Sequence, residues 1–263
     1  MNRIDAAFAR LRRKREKALI AYLTVGFPSL RMFPDLVSAC ADAGVDVLEL
    51  GVPFSDPLAD GPTIQAASEK ALARGVSPAS VLRQVKELRR RGVAVPLALM
   101  TYYNPVLRYG VRRFCRDGAR SGVDGLIVPD LPPEEAGDLV RAARPAGIDV
   151  VFLAAPTSPR ERLRRIAKAS TGFVYYVSLT GVTGARGSLP AEVGDRVRAI
   201  RRMTRLPVCV GFGVSSPAQV RRIAQSADGV IVGSALLNLI ERSGGNAPRV
   251  AYRFLRGLKR ACA

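Results

Sequence analysis

Short apolar runs alternate with amphipathic segments along almost the whole chain. Eight runs rich in Val, Ile, Leu and Ala lie at residues 19–24, 45–50, 95–102, 123–128, 148–153, 173–177, 208–210 and 229–232. The segments between them carry apolar residues at helical spacing, as in 77–91, where Val81, Val85 and Leu88 share one face. Apolar strands that alternate with helices predict a parallel sheet with crossover helices.

A short motif recurs where several of these runs begin. A small residue or glycine, a β-branched residue and an aspartate precede the apolar run at 43–48, 121–127 and 146–151, and more loosely at 227–232. Each copy is typical of a glycine helix C-cap that leads into a buried parallel strand.

Eight strand–helix units within 263 residues favour a closed barrel over an open doubly wound sheet. We therefore predict an α/β fold, a single-domain (β/α)₈ TIM barrel spanning residues 1–263. An extra N-terminal helix is expected, because Ile4, Phe8 and Leu11 fall on one face, and a final helix is expected near 248–260.

The charge of the chain is strongly positive. Lys and Arg number 41 against 22 Asp and Glu, a formal net charge of +19, and only six of the 41 are lysines. Such a balance can attract nucleic acid. The cations are dispersed over predicted helices and no aromatic-rich basic groove accompanies them, so we favour solvated helix faces over nucleic-acid binding.

Several classes of protein do not fit the composition. No uncharged apolar run approaches the length of a membrane span, and the basic N-terminus lacks the apolar core of a secretory signal. Four scattered cysteines form no C-x-x-C pair, which indicates isolated thiols in a reducing, cytoplasmic compartment. The absence of histidine, and of lysine within the strands, argues against zinc-dependent and Schiff-base aldolases.

Glu49 is the first candidate for chemistry. It lies at the end of the second run between Leu48 and Leu50. Side chains alternate along a strand, so if both leucines face the outer helices, Glu49 points into the barrel mouth. Burial there would raise its pKa and suit it to proton transfer. The alternative is a structural ion pair, but none of the eight runs contains a lysine or arginine to provide it.

Asp60 follows in the loop after that strand, beside Gly61 and Pro62. Two carboxylates over one pocket could divide the work, one moving protons and one stabilising an N–H group or a developing positive charge. An aspartate just before a proline is equally typical of a helix N-cap. The sequence mechanics alone leave both interpretations open.

Two glycine-containing loops follow the last two runs, Gly211 to Gly213 and then Gly233 with Ser234. Barrels often bind phosphate at these loops, where backbone N–H groups and a helix N-terminus favour an anion. A third loop, 178–188, is rich in Gly, Ser and Thr and could be a lid that excludes water, or a plain loop.

The segment ELGVPFSDPLADGPTIQ at 49–65 resembles the signature of tryptophan synthase α chains. Similar agreement is found in TYYNP at 101–105, GLIVPDLP at 125–132, YYVS at 175–178, GVTG at 181–184 and VGFGV at 210–214. The resemblance spans essentially the whole chain. It implies a lyase that cleaves indole-3-glycerol phosphate to indole and glyceraldehyde 3-phosphate by a retro-aldol step.

The resemblance also implies residue roles. Glu49 would be the general acid/base, and Asp60 would hold the indole N–H. Thr183 would close over the site and orient Asp60, and Tyr175 would contact substrate. The phosphate would be bound by Gly184, Gly213, Gly233 and Ser234, and the indole pocket lined by Tyr22, Met100, Tyr102, Ile127 and Phe212. Leu179 and Thr180 depart from the arginine-containing lid of some relatives.

A partner is implied as well. Asp56, Pro57 and Asn104 would face a β subunit that carries pyridoxal phosphate and uses the indole for L-tryptophan synthesis, in an α₂β₂ assembly. The chain itself would need no cofactor. Two alternatives remain open at this point, a lyase that acts alone and a non-catalytic regulatory subunit.

Overall fold

A computed structural model describes residues 2–177, 191–211 and 213–263 of the protein. The strands are β1 (Ala18–Thr24), β2 (Val47–Gly51), β3 (Leu97–Met100), β4 (Gly125–Ile127), β5 (Asp149–Val151), β6 (Leu153–Ala154), β7 (Val174–Val177), β8 (Val208–Gly211) and β9 (Gly229–Val232). The α-helices are α1 (Arg3–Lys14), α2 (Phe33–Asp42), α3 (Pro62–Leu72), α4 (Pro78–Arg90), α5 (Tyr103–Tyr109), α6 (Val111–Ser121), α7 (Gly137–Ala143), α8 (Arg160–Ala169), α9 (Ala191–Arg201), α10 (Pro217–Ala224), α11 (Ser234–Ser243) and α12 (Ala247–Lys259). Short 3₁₀ turns cover Arg144–Ala146 and Gly244–Asn246.

The sheet is a closed parallel barrel, as predicted. Its strand order is β5-β4-β3-β2-β1-β9-β8-β7-β6, and every described pairing is parallel. β5 and β6 are two halves of the fifth predicted strand, separated only by Phe152, so the two ends of this order meet. The prediction of one continuous strand here was wrong in detail: β5 pairs with β4 and β6 pairs with β7, and the break at Phe152 lies where the pairing changes.

Two apolar layers result from the alternation of side chains. Residues such as Leu48 and Leu50 face the outer helices and belong to the larger core between sheet and helices. The barrel interior holds a second cluster that includes Ile20, Val47, Ile127 and Ile231. All of these positions are fully or almost fully buried.

The predicted N-terminal helix closes one end of the barrel. Ile4, Phe8 and Leu11 of α1 are buried and belong to the interior cluster. Burying each such side chain contributes on the order of 1.5–3 kcal/mol. The carboxyl ends of the strands are therefore the open end of the barrel, where its chemistry is expected.

The recurring motif has a structural explanation. Gly44, Gly122 and Gly147 adopt positive φ at the ends of helical segments, which glycine does without a steric penalty. Two of the aspartates that follow link neighbouring strands at their amino ends. Asp46 accepts the Leu19 N–H at 2.9 Å, and Asp124 accepts the Leu97 N–H at 2.8 Å.

Within the described part of the chain, no helix is both long and apolar enough to cross a membrane.

Candidate active site

Glu49 points into the open end of the barrel, as its alternation with Leu48 and Leu50 predicted. It is fully buried on β2, beside Tyr22 of β1 in the strand register. Neither of its carboxylate oxygens has a hydrogen-bond partner among the described residues. The alternative of a structural ion pair is therefore not what the structure shows.

Burial has a direct electrostatic consequence for this carboxyl. Loss of hydration, with a further contribution from the nearby carboxylate of Asp60, raises the pKa of Glu49 to about 8. A carboxylic acid in this environment holds its proton at neutral pH, so it can donate one to a substrate.

Asp60 lies near Glu49 on the loop between β2 and α3. It is half-buried, and its Oδ1 atom has no described partner. Burial raises the pKa of Asp60 and a hydrogen bond with the Tyr102 hydroxyl lowers it, with a net rise to about 6. Gly61, with no side-chain capping bond, is the N-cap of α3, so the capping interpretation of Asp60 was wrong.

Tyr102 fixes the loop that carries Asp60. Its hydroxyl accepts the N–H of Ala59 at 2.9 Å, and its ring lies 5.4 Å from that of Phe54. This tyrosine therefore holds the loop from the end of β3. The sequence had suggested only that it lines an apolar pocket.

A cavity of about 130 Å³ lies beside Glu49. It brings together most of the predicted residues on its walls: Tyr22, Glu49, Met100, Tyr175, Gly213, Gly233 and Ser234. Tyr102, Ile127 and Asp60 are not part of this lining, although Ile127 packs in the same interior cluster as Met100 and Tyr175. Thr183, Gly184, Phe212 and the Leu179-Thr180 pair lie outside the described residues.

Sequence reasoning missed four lining residues, Ile64, Val214, Ile231 and Ala235. Ile231 could have been found, since it faces inward two residues after Gly229 on β9. The other three lie in helices or loops, where a strand's alternation gives no information.

Two glycines keep room for aromatic side chains in this cavity. A Cβ at Gly51 would lie 2.0 Å from the Tyr22 hydroxyl, and a Cβ at Gly211 would lie 2.9 Å from the Tyr175 ring. Any larger residue at either position would displace a tyrosine from the cavity wall.

The opposite wall is suited to an anion. α11 begins at Ser234, and the Leu237 N–H makes the first bond of that helix, to the Gly233 carbonyl at 3.1 Å. The N–H groups of Ser234 and Ala235 come before it, where an α-helix offers donors to a ligand. Gly213, with a φ of 36°, adds a second backbone approach. Among the described residues, the site included, no three acidic or cysteine side chains cluster to hold a metal ion.

The fold and the site define a class, a (β/α)₈-barrel enzyme with two acidic side chains and an anion cradle at the carboxyl ends of its strands. The family model described as tryptophan synthase alpha chain matches residues 8–259. The chain belongs to this family of lyases.

Individual relatives are similar to this chain along nearly their whole length. The tryptophan synthase alpha chain of Geotalea daltonii is 50% identical, with 93% of this chain and 92% of that one covered. The alpha chain of Roseiflexus castenholzii is 51% identical, with 98% and 100% covered. The alpha subunit structure from Legionella pneumophila is 36% identical, with a TM-score of 0.93 and 100% and 98% of the two chains covered.

Proposed function

We propose that this protein cleaves indole-3-glycerol phosphate to indole and glyceraldehyde 3-phosphate. The observation that carries the proposal is the buried, unpaired Glu49, whose pKa of about 8 keeps it protonated at neutral pH next to an anion cradle. Membership of the family supplies the substrate, and the geometry supports the roles of the residues.

Glu49 acts first as an acid. It donates a proton to C3 of the indole ring, and the ring electrons that form this bond leave a positively charged C=N–H group. The Asp60 carboxylate accepts the N–H and stabilises that charge. Its pKa of about 6 keeps it ionised near neutral pH.

The carbon–carbon bond then breaks. The Glu49 carboxylate takes the proton of the side-chain hydroxyl next to the ring, the oxygen forms a carbonyl, and the electrons of the C–C bond return to the ring. Indole and glyceraldehyde 3-phosphate are released, and Glu49 is protonated again. No cofactor is needed for this sequence of steps.

The phosphate is held at the far wall of the cavity. Gly233, Ser234 and the first turn of α11 would donate backbone N–H groups to it, and Gly213 would approach from the β8 side. Tyr22, Met100 and Tyr175 would enclose the indole and exclude water. Thr183, Gly184 and Phe212 remain candidates for closing the site on the strength of the family resemblance.

A β subunit is the proposed partner, bound over the open end of the barrel. Leu58 is 91% exposed and Leu107 is 57% exposed, the two large apolar side chains that stand out to solvent in the described chain. They lie within three residues of Asp56, Pro57 and Asn104, the predicted interface. We propose that the β subunit covers these two side chains. We propose an α₂β₂ assembly in the cytoplasm, with pyridoxal phosphate on the β subunit and residues 1–263 as one catalytic domain.

Indole release from indole-3-glycerol phosphate tests the proposal. Purified protein is measured with and without a tryptophan synthase β subunit, alongside Glu49→Gln. Slow release alone, stimulation by β and loss in the variant are expected. Fast release that β leaves unchanged would show a lyase that acts alone, and no release under any condition would contradict the catalytic role.

A matched variant tests the interface separately. Leu107→Asp places a charge on α5, away from the cavity lining. We expect it to leave basal release unchanged and to abolish stimulation by β. Full stimulation of this variant would contradict the proposed docking surface.

A further inference from the structure

A second cavity, of about 510 Å³, lies at the opposite end of the barrel from Glu49. Its walls come from the end of α1, the segments that precede β1, β8 and β9, and the end of α9. These three strands are neighbours in the sheet, so the cavity opens at their amino ends. Nothing in the proposed reaction uses this end of the molecule.

The lining of this cavity is strongly basic. It contains five cationic side chains, Arg12, Arg15, Lys17, Arg201 and Arg205, against the two carboxylates of Glu16 and Asp228.

Both carboxylates already have partners. Asp228 pairs with Arg201 at 3.3 Å and with Lys17 at 3.8 Å, and it accepts the Val208 N–H at 3.1 Å. Glu16 lies 3.7 Å from Lys259 of α12. Among the residues that the structure describes, no acidic side chain pairs with Arg12, Arg15 or Arg205.

Arg15 occupies an unusual backbone position. It ends α1 in the left-handed region, with φ 57° and ψ 24°, and among the described residues it alone does so without being glycine. Glycine is the usual residue at this kind of helix end, because a Cβ is penalised there. A side chain kept at this cost suggests a use for the guanidinium itself.

The remaining wall is apolar. It is lined by Phe8 and Leu11 of α1 together with Leu206 and Pro207. The Thr204 hydroxyl accepts the Leu206 N–H at 3.1 Å, so its own proton can be donated to a ligand. The volume is within the range of sites that bind small organic molecules.

We propose that this cavity is a binding site for a small organic phosphate. Arg12, Arg15 and Arg205 would contact the phosphate oxygens through charge-assisted hydrogen bonds, and the apolar wall would contact the organic part. The site is separate from the barrel mouth, so this proposal does not depend on the proposed reaction.

Isothermal titration calorimetry with two probes tests the site. Inorganic pyrophosphate measures the contribution of charge, and phenyl phosphate adds the contribution of the apolar wall. Wild-type protein should bind one more phenyl phosphate per chain than the R12Q/R205Q variant, or bind it at least about tenfold more tightly. Tighter binding of pyrophosphate than of phenyl phosphate would identify a site for inorganic anions and overturn the organic ligand class.

A matched control separates this site from general surface charge. R83Q/R249Q also removes two exposed arginines, which lie outside the cavity and have no described ion pair. It should bind both probes like the wild type. An equal loss in both double variants would show diffuse attraction by a basic surface and overturn the proposal.

Arg15→Gly separates ligand binding from folding. Glycine adopts the left-handed conformation without penalty, so the thermal midpoint of the free protein should stay the same or rise. Binding of phenyl phosphate should nevertheless weaken several-fold, with indole release unchanged. Unchanged binding in both R15G and R12Q/R205Q would show that these guanidinium groups bind no ligand.

Discussion

Buried carboxylates at the two ends of the barrel have opposite surroundings. At the amino end, Asp124 is 2% exposed and accepts the Leu97 N–H at 2.8 Å, Arg89 at 2.5 Å and Arg3 at 2.9 Å. Asp46 is bonded in the same way to Leu19, Arg10 and Lys259. At the carboxyl end, Glu49 is fully buried and its two oxygens bond to nothing described.

This difference separates stability from chemistry. A buried acid with a full set of donors connects strands and helices, and removing it leaves those donors unpaired. When a buried acid has no hydrogen-bond donors around it, its charged form is destabilised and its pKa rises. A raised pKa is the condition for proton transfer near neutral pH. A substitution of Glu49 should therefore lower activity without lowering stability, and a substitution at the amino end should lower stability without lowering activity.

Glu49→Gln should give the largest effect. Indole release should fall by about 10³-fold or more, because an amide is too weak an acid to transfer a proton and general acid–base catalysis contributes roughly 10²–10⁴-fold. The thermal midpoint should stay the same or rise, since an unpaired carboxyl is removed. A steady-state assay together with a melting curve measures both. Lost activity with a lowered midpoint would show that Glu49 has a structural role instead.

Asp124→Asn should reverse this pattern. It leaves the mostly buried Arg89 without its charged partner, so the free energy of unfolding should fall by about 3 kcal/mol while indole release per folded molecule is unchanged. Urea unfolding followed by circular dichroism measures the first quantity. Asp138→Asn is the control, because its pair with Arg141 is exposed, and should change stability by under about 1 kcal/mol. Equal losses in the two variants would contradict the distinction.

The barrel itself could be predicted from the sequence because its strands are apolar and regularly spaced. The glycine-aspartate motif marked the helix ends correctly. It did not reveal that the aspartates link strands such as β3 and β4, since such bonds depend on the sheet register. The break at Phe152 lies where the chain changes its partner strand from β4 to β7, and no local pattern encodes that change.

The site was predictable where a strand supplies it and less so where a loop does. Alternation placed Glu49 in the barrel mouth, but two interpretations of Asp60 remained equal until the loop was seen. The position of that loop depends on Tyr102, which is 43 residues away from Ala59 in sequence. The residues alone offered the N–H-binding role of Asp60 as one of two interpretations, and the family resemblance favoured it.

The pH dependence of activity should reflect the ionisation of both Asp60 and Glu49. Activity should rise as pH increases through about 6, where Asp60 becomes ionised, and fall above about 8, where Glu49 loses its proton. The raised pKa of Glu49 also means that the folded state holds this proton more tightly than the unfolded state. Its contribution to stability should therefore be largest below its usual value of 4.5 and decline as pH rises towards about 8.

Melting curves across this range, for wild type and Glu49→Gln, measure that decline. The variant should gain stability relative to wild type between these two pH values and keep the difference above them. A constant difference at all pH values would show that the pKa of Glu49 is not raised in the folded protein.

Tyr102→Phe should give the smallest effect. It tests how Tyr102 acts on Asp60 at the open end of the barrel. It removes the hydroxyl that accepts the Ala59 N–H and interacts with Asp60, so the loop loses one anchor and kcat/KM should fall by about tenfold. Because that hydroxyl lowers the pKa of Asp60, the acid limb of the pH profile should move to higher pH. Tyr103→Phe is the control. The Tyr103 hydroxyl has no described partner, so kcat/KM and the acid limb should both stay unchanged. A tenfold loss with an unmoved acid limb would mean that Tyr102 positions the loop without acting on the Asp60 carboxylate.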